Sequence, residues 1–370
     1  MNELKDEKTI RGLLRAIGKK ARAVGPPVRL MEVCGTHTMS LFKNGLTPLL
    51  AEAGVEMVSG PGCPVCITPN SFHEAAIGLV GGREGLTLAT FGDMTRVPTR
   101  TGSLQTAVPA RESRIKIVYS PREALDEALK NPDRETVFFG AGFETTIPAI
   151  AASVKGAAES GLRNYSVLPA LWLVPPALRA LLESGEVAIA GFIYPGHVSA
   201  IIGLEPYRFI ADRYRIPGAV AGFEPADILL AVLSVLDQAA DGTPRVALEY
   251  GRAVRPEGNA VARAMMDEVF EPYDAVWRGL GVIPASGLAL RAKYAAFSAP
   301  ARYGVSLAGS GGDLPGCRCG EVLRGLIRPS GCRLFGKRCT PEAPLGPCMV
   351  SYEGSCLIHF KYGGGQGQRA

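Results

Sequence analysis

Six of the chain's nine cysteines, Cys317, Cys319, Cys332, Cys339, Cys348 and Cys356, crowd into the last sixty residues among Gly and Pro turns. A segment with so little sustained apolar periodicity cannot bury much of a core, so a metal centre has to supply part of its folding free energy. The other three lie near the start: Cys34 in M-E-V-C-G-T-H-T, and Cys63 with Cys66 in G-P-G-C-P-V-C. One end reads as a holder for an inorganic centre, the other as a presenter of reactive thiols.

At 370 residues the chain exceeds one ordinary hydrophobic core, and two or three domains are expected. Apolar residues make up 47% of it, yet no uncharged apolar run reaches membrane-spanning length. Residues 1–22 are charged throughout and carry no apolar stretch of the kind a secretory signal needs, so a cytoplasmic, reducing setting is expected. In that setting a Cys cluster binds metal or does redox work more often than it builds a disulfide scaffold. The formal charge of +5 is small and its Lys and Arg residues are scattered, which argues against nucleic acid as a partner.

Short apolar runs alternate with helical patterns from about residue 28 to about 285. The strands predicted are Val28 to Val33, Val55 to Ser59, Leu86 to Phe91, Ile115 to Tyr119, Thr136 to Phe139, Tyr165 to Leu168, Val187 to Tyr194, Gly218 to Gly222 and Val246 to Tyr250. Helices are predicted around Ser71 to Val80 and over Pro121 to Lys130, Thr145 to Ala157, Pro175 to Leu182 and Ala226 to Leu236. Strand and helix in turn argue for an α/β fold with mainly parallel sheets. Nine strands are many for one sheet, and K-N-P-D-R at 130–134 is a polar, Pro-bearing break. The expected organisation is a helical segment over 1–24, two tandem α/β domains over 25–130 and 131–285, and a small Cys-rich domain over 286–370.

The tail thiols suit an iron-sulfur centre, which takes soft thiolate ligands from loops, with four as the usual number. Spacing does not select which four of the six. In C-R-C, Cys317 and Cys319 share a face if the backbone is extended. Structural zinc also takes four Cys, but its usual paired C-x2-C knuckles are missing here. In the head, Cys63-Pro-Val-Cys66 sits between a strand and a helix, the setting of thiol-disulfide chemistry. Cys34 closes the first strand, and Gly35 and His37 after it allow close approach and a second donor. Tyr194-Pro-Gly-His197 closes another strand in the same way. Gly140-Ala-Gly142 lacks the third glycine of a dinucleotide fingerprint, leaving a loop that cradles an anion as the most it offers, and no phosphate-binding G-x-x-x-x-G-K-[ST] occurs.

Taken together, M-E-V-C-G-T-H-T from Met31, G-P-G-C-P-V-C-I-T-P from Gly60, G-F-E-T-T from Gly142, Y-P-G-H-V-S-A-I-I-G from Tyr194, C-R-C-G-E-V-L-R-G from Cys317 and C-M-V-S-Y-E-G-S-C from Cys348 resemble the HypD family of hydrogenase maturation factors. The resemblance spans residues 31 to 356 in order.

It implies two α/β domains plus a small domain holding one [4Fe-4S] cluster, working with the small chaperone HypC and the cyanide-ligand donor HypE. Together these assemble an iron unit bearing two cyanides and one carbon monoxide for [NiFe]-hydrogenase. Cys34 matches the family's iron-binding residue, with His37 beside it as a further candidate metal ligand, and Cys63 and Cys66 match its redox pair. By analogy with enzymes that set a disulfide against a cluster, Cys317, Cys332, Cys339 and Cys356 are expected as cluster ligands and Cys319 with Cys348 as a second redox pair. The competing readings are a cluster-dependent thiol-disulfide oxidoreductase and a zinc-bearing binding module.

Overall fold

A computed structural model of the chain describes residues 3–108, 114–307 and 312–364. All nine predicted strands are present: β1 (Val28–Glu32), β2 (Val55–Ser59), β3 (Leu86–Thr90), β4 (Ile115–Ile117), β5 (Glu135–Gly142), β6 (Tyr165–Leu171), β7 (Gly191–Pro195), β8 (Gly218–Ala221) and β9 (Val246–Leu248). They form two wholly parallel sheets, ordered β2-β1-β7-β8-β9 and β4-β3-β5-β6. The α/β class with parallel sheets and a Cys-rich C-terminal region is therefore as the sequence reading has it.

The grouping of strands differs from a simple tandem order. After β2 the chain leaves the first sheet, builds all of the second, and returns to lay β7 against the free edge of β1, with Leu30 opposite Gly191. A cut at 130/131 falls between β4 and β5, two members of one sheet. A cut at 285/286 falls inside a strand of a hairpin the sequence reading did not foresee, β10 (Phe270–Trp277) with β11 (Gly281–Leu290). An apolar run marks a buried parallel strand but says nothing of which neighbour it will choose. Strand ends moved for a related reason: β5 and β6 continue through Gly140 and Pro169 because they pair there, and β6 is an edge strand, where a proline is tolerated.

Helices cover the sheets. Helix α1 (Glu7–Val24) buries Ile17 and Ala21 against the helix Pro225–Asp241, whose Val232 and Val235 lie over Val28 and Leu30 of the first sheet. A larger core joins the two sheets to the tail, containing Met31 and Phe192 of the first sheet, Leu88 and Phe139 of the second, and Leu323 and Val350 from the Cys-rich segment. The tail is thus part of a shared core.

Its attachment runs through Arg278, at the turn of the hairpin and 4% exposed. The guanidinium donates to the Thr68 carbonyl from Nε at 3.2 Å and from Nη2 at 2.8 Å, to Asn70 Oδ1 at 2.6 Å, and pairs with Asp313. Its backbone N-H donates to the Ile67 carbonyl at 2.8 Å. Trp172 Nε1 braces the same segment by donating to Thr68 Oγ1 at 3.1 Å, and Trp277 meets Trp172 at 5.6 Å between ring centroids. Replacing Arg278 by Met leaves several buried acceptors unpaired, so R278M is expected to lower stability by about 2–4 kcal/mol in urea unfolding. A change within ~0.5 kcal/mol would show that this bracing is dispensable.

Candidate functional site

The order of the first sheet reverses between β1 and β7, and ligands of parallel α/β sheets bind where neighbouring crossovers part, beyond the carboxyl ends of such strands. Both strands end there in motifs marked in the sequence. Cys34 follows β1 and caps helix α2 (Gly35–Lys43), which α3 (Leu46–Glu52) succeeds, and His197 follows β7.

Glycines let the second thiol loop lie directly on this point. A Cβ at Gly62 would stand 2.4 Å from the Cys34 backbone nitrogen, and one at Gly60 would stand 2.8 Å from both Met31 Sδ and Val33 Cγ1. Gly35 N-H donates to the Gly62 carbonyl at 3.1 Å. The loop then enters the short helix α4 (Pro64–Ile67), and Cys63 and Cys66 are joined by a disulfide with their Cα atoms 5.2 Å apart. Thr68 Oγ1 ties off that helix by donating to the Pro64 carbonyl at 2.7 Å.

From the other side the tail closes in. A Cβ at Gly35 would lie 2.4 Å from Glu353, and Thr36 Oγ1 donates to Glu353 Oε1 at 3.2 Å. Ser351 Oγ donates to Asp93 Oδ2 at 3.1 Å, Asp93 being just beyond the end of β3. Cys34 N-H donates to Glu32 Oε2 at 2.9 Å, and Thr38 Oγ1 donates to the other Glu32 oxygen. The thiol of Cys34 is therefore buried among carboxyl groups. Burial, the negative charge of Glu353 and that of Glu32 push it up to about 12. Burial pushes Glu32 up to about 8, and raises Glu353 and Asp93 as well. An acidic pocket disfavours a free thiolate, while a bound cation reverses that balance.

His37 is fully buried, and its Nε2 donates to the carbonyls of Gly222 at 2.9 Å and Ala221 at 3.3 Å. Nδ1 has no partner and is left as the ring's single free lone pair. Burial lowers the ring to about 4. Phe223 lies between His37, tilted to it at 4.9 Å, and the exposed His197, stacked on it at 3.9 Å. Gly140 and Gly142 lie within β5, paired with β6, so the anion-cradling loop considered at that motif is overturned. Glu144 of the same motif is buried, with Oε1 accepting from Val174 N-H at 3.0 Å and Oε2 unpartnered.

All six tail thiols line one cavity, with Val322, Leu334, Phe335 and Met349 as apolar walls and neither carboxylate nor imidazole among them. This soft, all-sulfur donor set fits a thiolate-held cluster. Among the described residues, no three His, Cys, Asp or Glu side chains stand close enough to hold a single metal ion. Cys319 and Cys348 are the deepest, at 3% and 0% exposed, whereas Cys317, Cys332 and Cys356 are partly exposed. Hydrogen bonds from Cys317 and Cys348, helped by the charge of Arg278, hold the Cys319 thiol well below the usual range. Leu345 N-H donates to Cys339 Sγ at 3.3 Å. The short helix α4 packs on both the helix Cys319–Leu323 and the turn Pro347–Met349, and Cys63, Cys66, Cys319 and Cys348 belong to one core. Arg278 and Asp93 carried no sequence signal of a site role, and Glu32 lay inside M-E-V-C-G-T-H-T only as a neighbour of Cys34. Glu353 lay inside a marked motif, Y-E-G-S-C, but as a neighbour of the cysteines.

The profile of HypD, described as the "Hydrogenase formation hypA family", matches residues 8–363. The chain belongs to the HypD family. It is 45% identical over 371 residues to the "Hydrogenase maturation factor HypD" of Rhodobacter capsulatus, covering 98% of each chain. It is 43% identical to the protein of that name from Rhizobium leguminosarum bv. viciae, covering 97% of this chain and 95% of the relative. Against the Escherichia coli (strain K12) protein the identity is 42% over 337 residues, covering 91% and 89%. The chain is thus a hydrogenase maturation factor. No helix among the described residues is long and apolar enough to cross a membrane.

Two outcomes follow from the acidic pocket. Alkylation of Cys34 by iodoacetamide is expected to rise with pH well beyond pH 9, the midpoint of an ordinary thiol, and Glu353→Gln to shift the profile downward. A midpoint near 9 in the wild type would remove the pocket's effect. Glu32, raised to about 8, and Glu144, raised to about 7, keep protons in the folded chain that the unfolded chain releases near 4.5. Their contribution makes stability fall as pH rises between these limits. His37 and His73, lowered by burial to about 4 and about 3, act oppositely but only up to about 6.5. From pH 6.5 to 8 these histidines no longer oppose the fall, and Glu32→Gln should make the slope of urea midpoints against pH less negative.

Proposed function

We propose that the chain is the scaffold on which the iron unit of [NiFe]-hydrogenase is assembled, with Cys34 as the protein's thiolate ligand to that iron. The observation that carries this is convergence: Cys34, the Cys63–Cys66 loop and Glu353 of the tail meet at the switch point of the first sheet. Iron(II) with cyanide and carbon monoxide is cargo here, and a soft thiolate suits it. Cationic iron would offset the carboxyl groups that hold the Cys34 proton in place. His37 Nδ1 is the nearest imidazole lone pair in sequence, on a ring fixed by two backbone carbonyls. One thiolate cannot fill an octahedral iron, so a partner supplies the rest. HypC fits that role, with HypE as the donor of cyanide, in the cytoplasm.

The tail thiols fit a [4Fe-4S] cluster held by Cys317, Cys332, Cys339 and Cys356, which when bound supplies one-electron transfer. Cys319 and Cys348 then remain as a buried pair, which their depth and mutual contact support. Cys63 and Cys66 take up two electrons and two protons when their disulfide opens. A cluster-dependent thiol-disulfide oxidoreductase is the second reading, favoured by the packing of α4 against the tail.

The substitution Cys34→Ser tests the first reading. Iron and sulfide content and visible absorbance should stay at wild-type level, while hydrogenase maturation falls by at least about a hundredfold and infrared bands of cyanide and carbon monoxide vanish from the HypC complex. Full maturation by C34S would refute the iron-ligand role, and colourless wild-type protein with stoichiometric zinc would refute the cluster. Retained disulfide reduction of a general protein substrate by C34A, with no maturation defect, would favour the second reading.

A further inference from the structure

The tail carries its positive charge in two different ways. Arg318, Arg324 and Arg328 are each ion-paired, with Glu321, Glu186 and Glu56. Arg333, Lys337 and Arg338 are exposed and have no ion-pair partner among the described residues. All three stand on the turn between Cys332 and Cys339. That turn is tight: Phe335 N-H donates to the Cys332 carbonyl at 3.1 Å, Cys339 N-H to the Leu334 carbonyl at 2.9 Å, and Gly336 takes a φ of 67°. Cys332, Leu334, Phe335 and Cys339 thereby line the thiol cavity while the three cations stay outside. Arg96 adds a fourth, donating to the Pro341 carbonyl at 2.8 Å, and the exposed Glu342 is the one acid between residues 329 and 346. Like charges crowded into six residues repel one another, and no carboxylate among the described residues pairs with them.

We propose that this turn is the docking surface for a small acidic protein that carries single electrons at low potential, of the flavin or iron-sulfur class. The inference rests on the proposed cluster in the tail and adds its donor. The cations sit where the wall between the thiol cavity and solvent is one turn of backbone, and charge complementarity steers an acidic partner to that wall. Opening the Cys63–Cys66 disulfide breaks one S-S bond and takes two electrons and two protons. Two carriers, each oxidised by one electron, supply the electrons, and solvent supplies the protons.

The test uses the full chain, prepared without oxygen, as wild type, R333E/K337E/R338E, the milder R333Q/K337Q/R338Q, and the remote control R15E/K19E on α1. Iron and sulfide are assayed first, then binding of purified flavodoxin by calorimetry at low and high ionic strength. Wild-type affinity should weaken with salt. The charge-reversed variant should bind about tenfold or more weakly and lose most of its salt dependence, with the neutral variant between and the control unchanged. Equal affinity of wild type and the charge-reversed variant overturns the proposal. So does tighter binding of a DNA duplex than of flavodoxin, or a shifted midpoint potential with unaltered affinity, which would make the cations tuners of the centre. Wild-type protein without iron and sulfide overturns the underlying cluster instead, a result the assay reads separately.

Discussion

The site depends on one topological fact, that β1 is paired on one side by the strand that follows it and on the other by a strand that arrives after the whole second sheet has been built. Because parallel neighbours must be joined by crossovers, the connections leaving β1 and β7 part in opposite directions and open a crevice at their carboxyl ends. Cys34 and His197 are placed there by strand order alone. Everything else at the site arrives as backbone or side chains laid onto that crevice.

Close approach is what makes the convergence possible. The G-P-G run before Cys63 brings main chain against Cys34, Met31 and Val33 at distances that a Cβ would forbid, and Gly35 does the same for Glu353 of the tail. The Cys-rich segment, which has little apolar surface, is held through the shared core and through Arg278, whose bonds reach Thr68, Asn70 and Asp313. That segment is therefore stabilised partly by what it covers.

The two sulfur-bearing ends have opposite electrostatics. Around Cys34 the groups are acidic and buried, so the thiol keeps its proton until a cation arrives. Around the tail cavity the surface is basic, and the charge of Arg278 helps hold Cys319 toward its thiolate form. The first environment suits receipt of a metal ion; in the second, Cys319 is held toward its thiolate while the hydrogen bonds it accepts and burial raise Cys317 and Cys348, and the basic surface suits an acidic visitor.

Short apolar runs in the sequence were enough to establish the nine parallel strands, most plainly for β5 and β6, where burial on both faces leaves a nearly continuous apolar signature. Cysteine spacing and the marked motifs likewise singled out Cys34, Cys63, Cys66 and the tail thiols as candidates, and the structure lays the Cys63–Cys66 loop against Cys34 and gathers the tail thiols in one cavity. Which strands became neighbours, the β10–β11 hairpin, and the roles of Glu32, Asp93, Arg278 and Glu353 emerged only in three dimensions. Pairing partners are chosen by competition among similar apolar edges, and a lone acid or arginine has meaning only through what stands beside it. The sequence determined the chemistry available, and the tertiary structure decided where it meets, because proximity between residues hundreds apart is a property of packing and leaves no local trace.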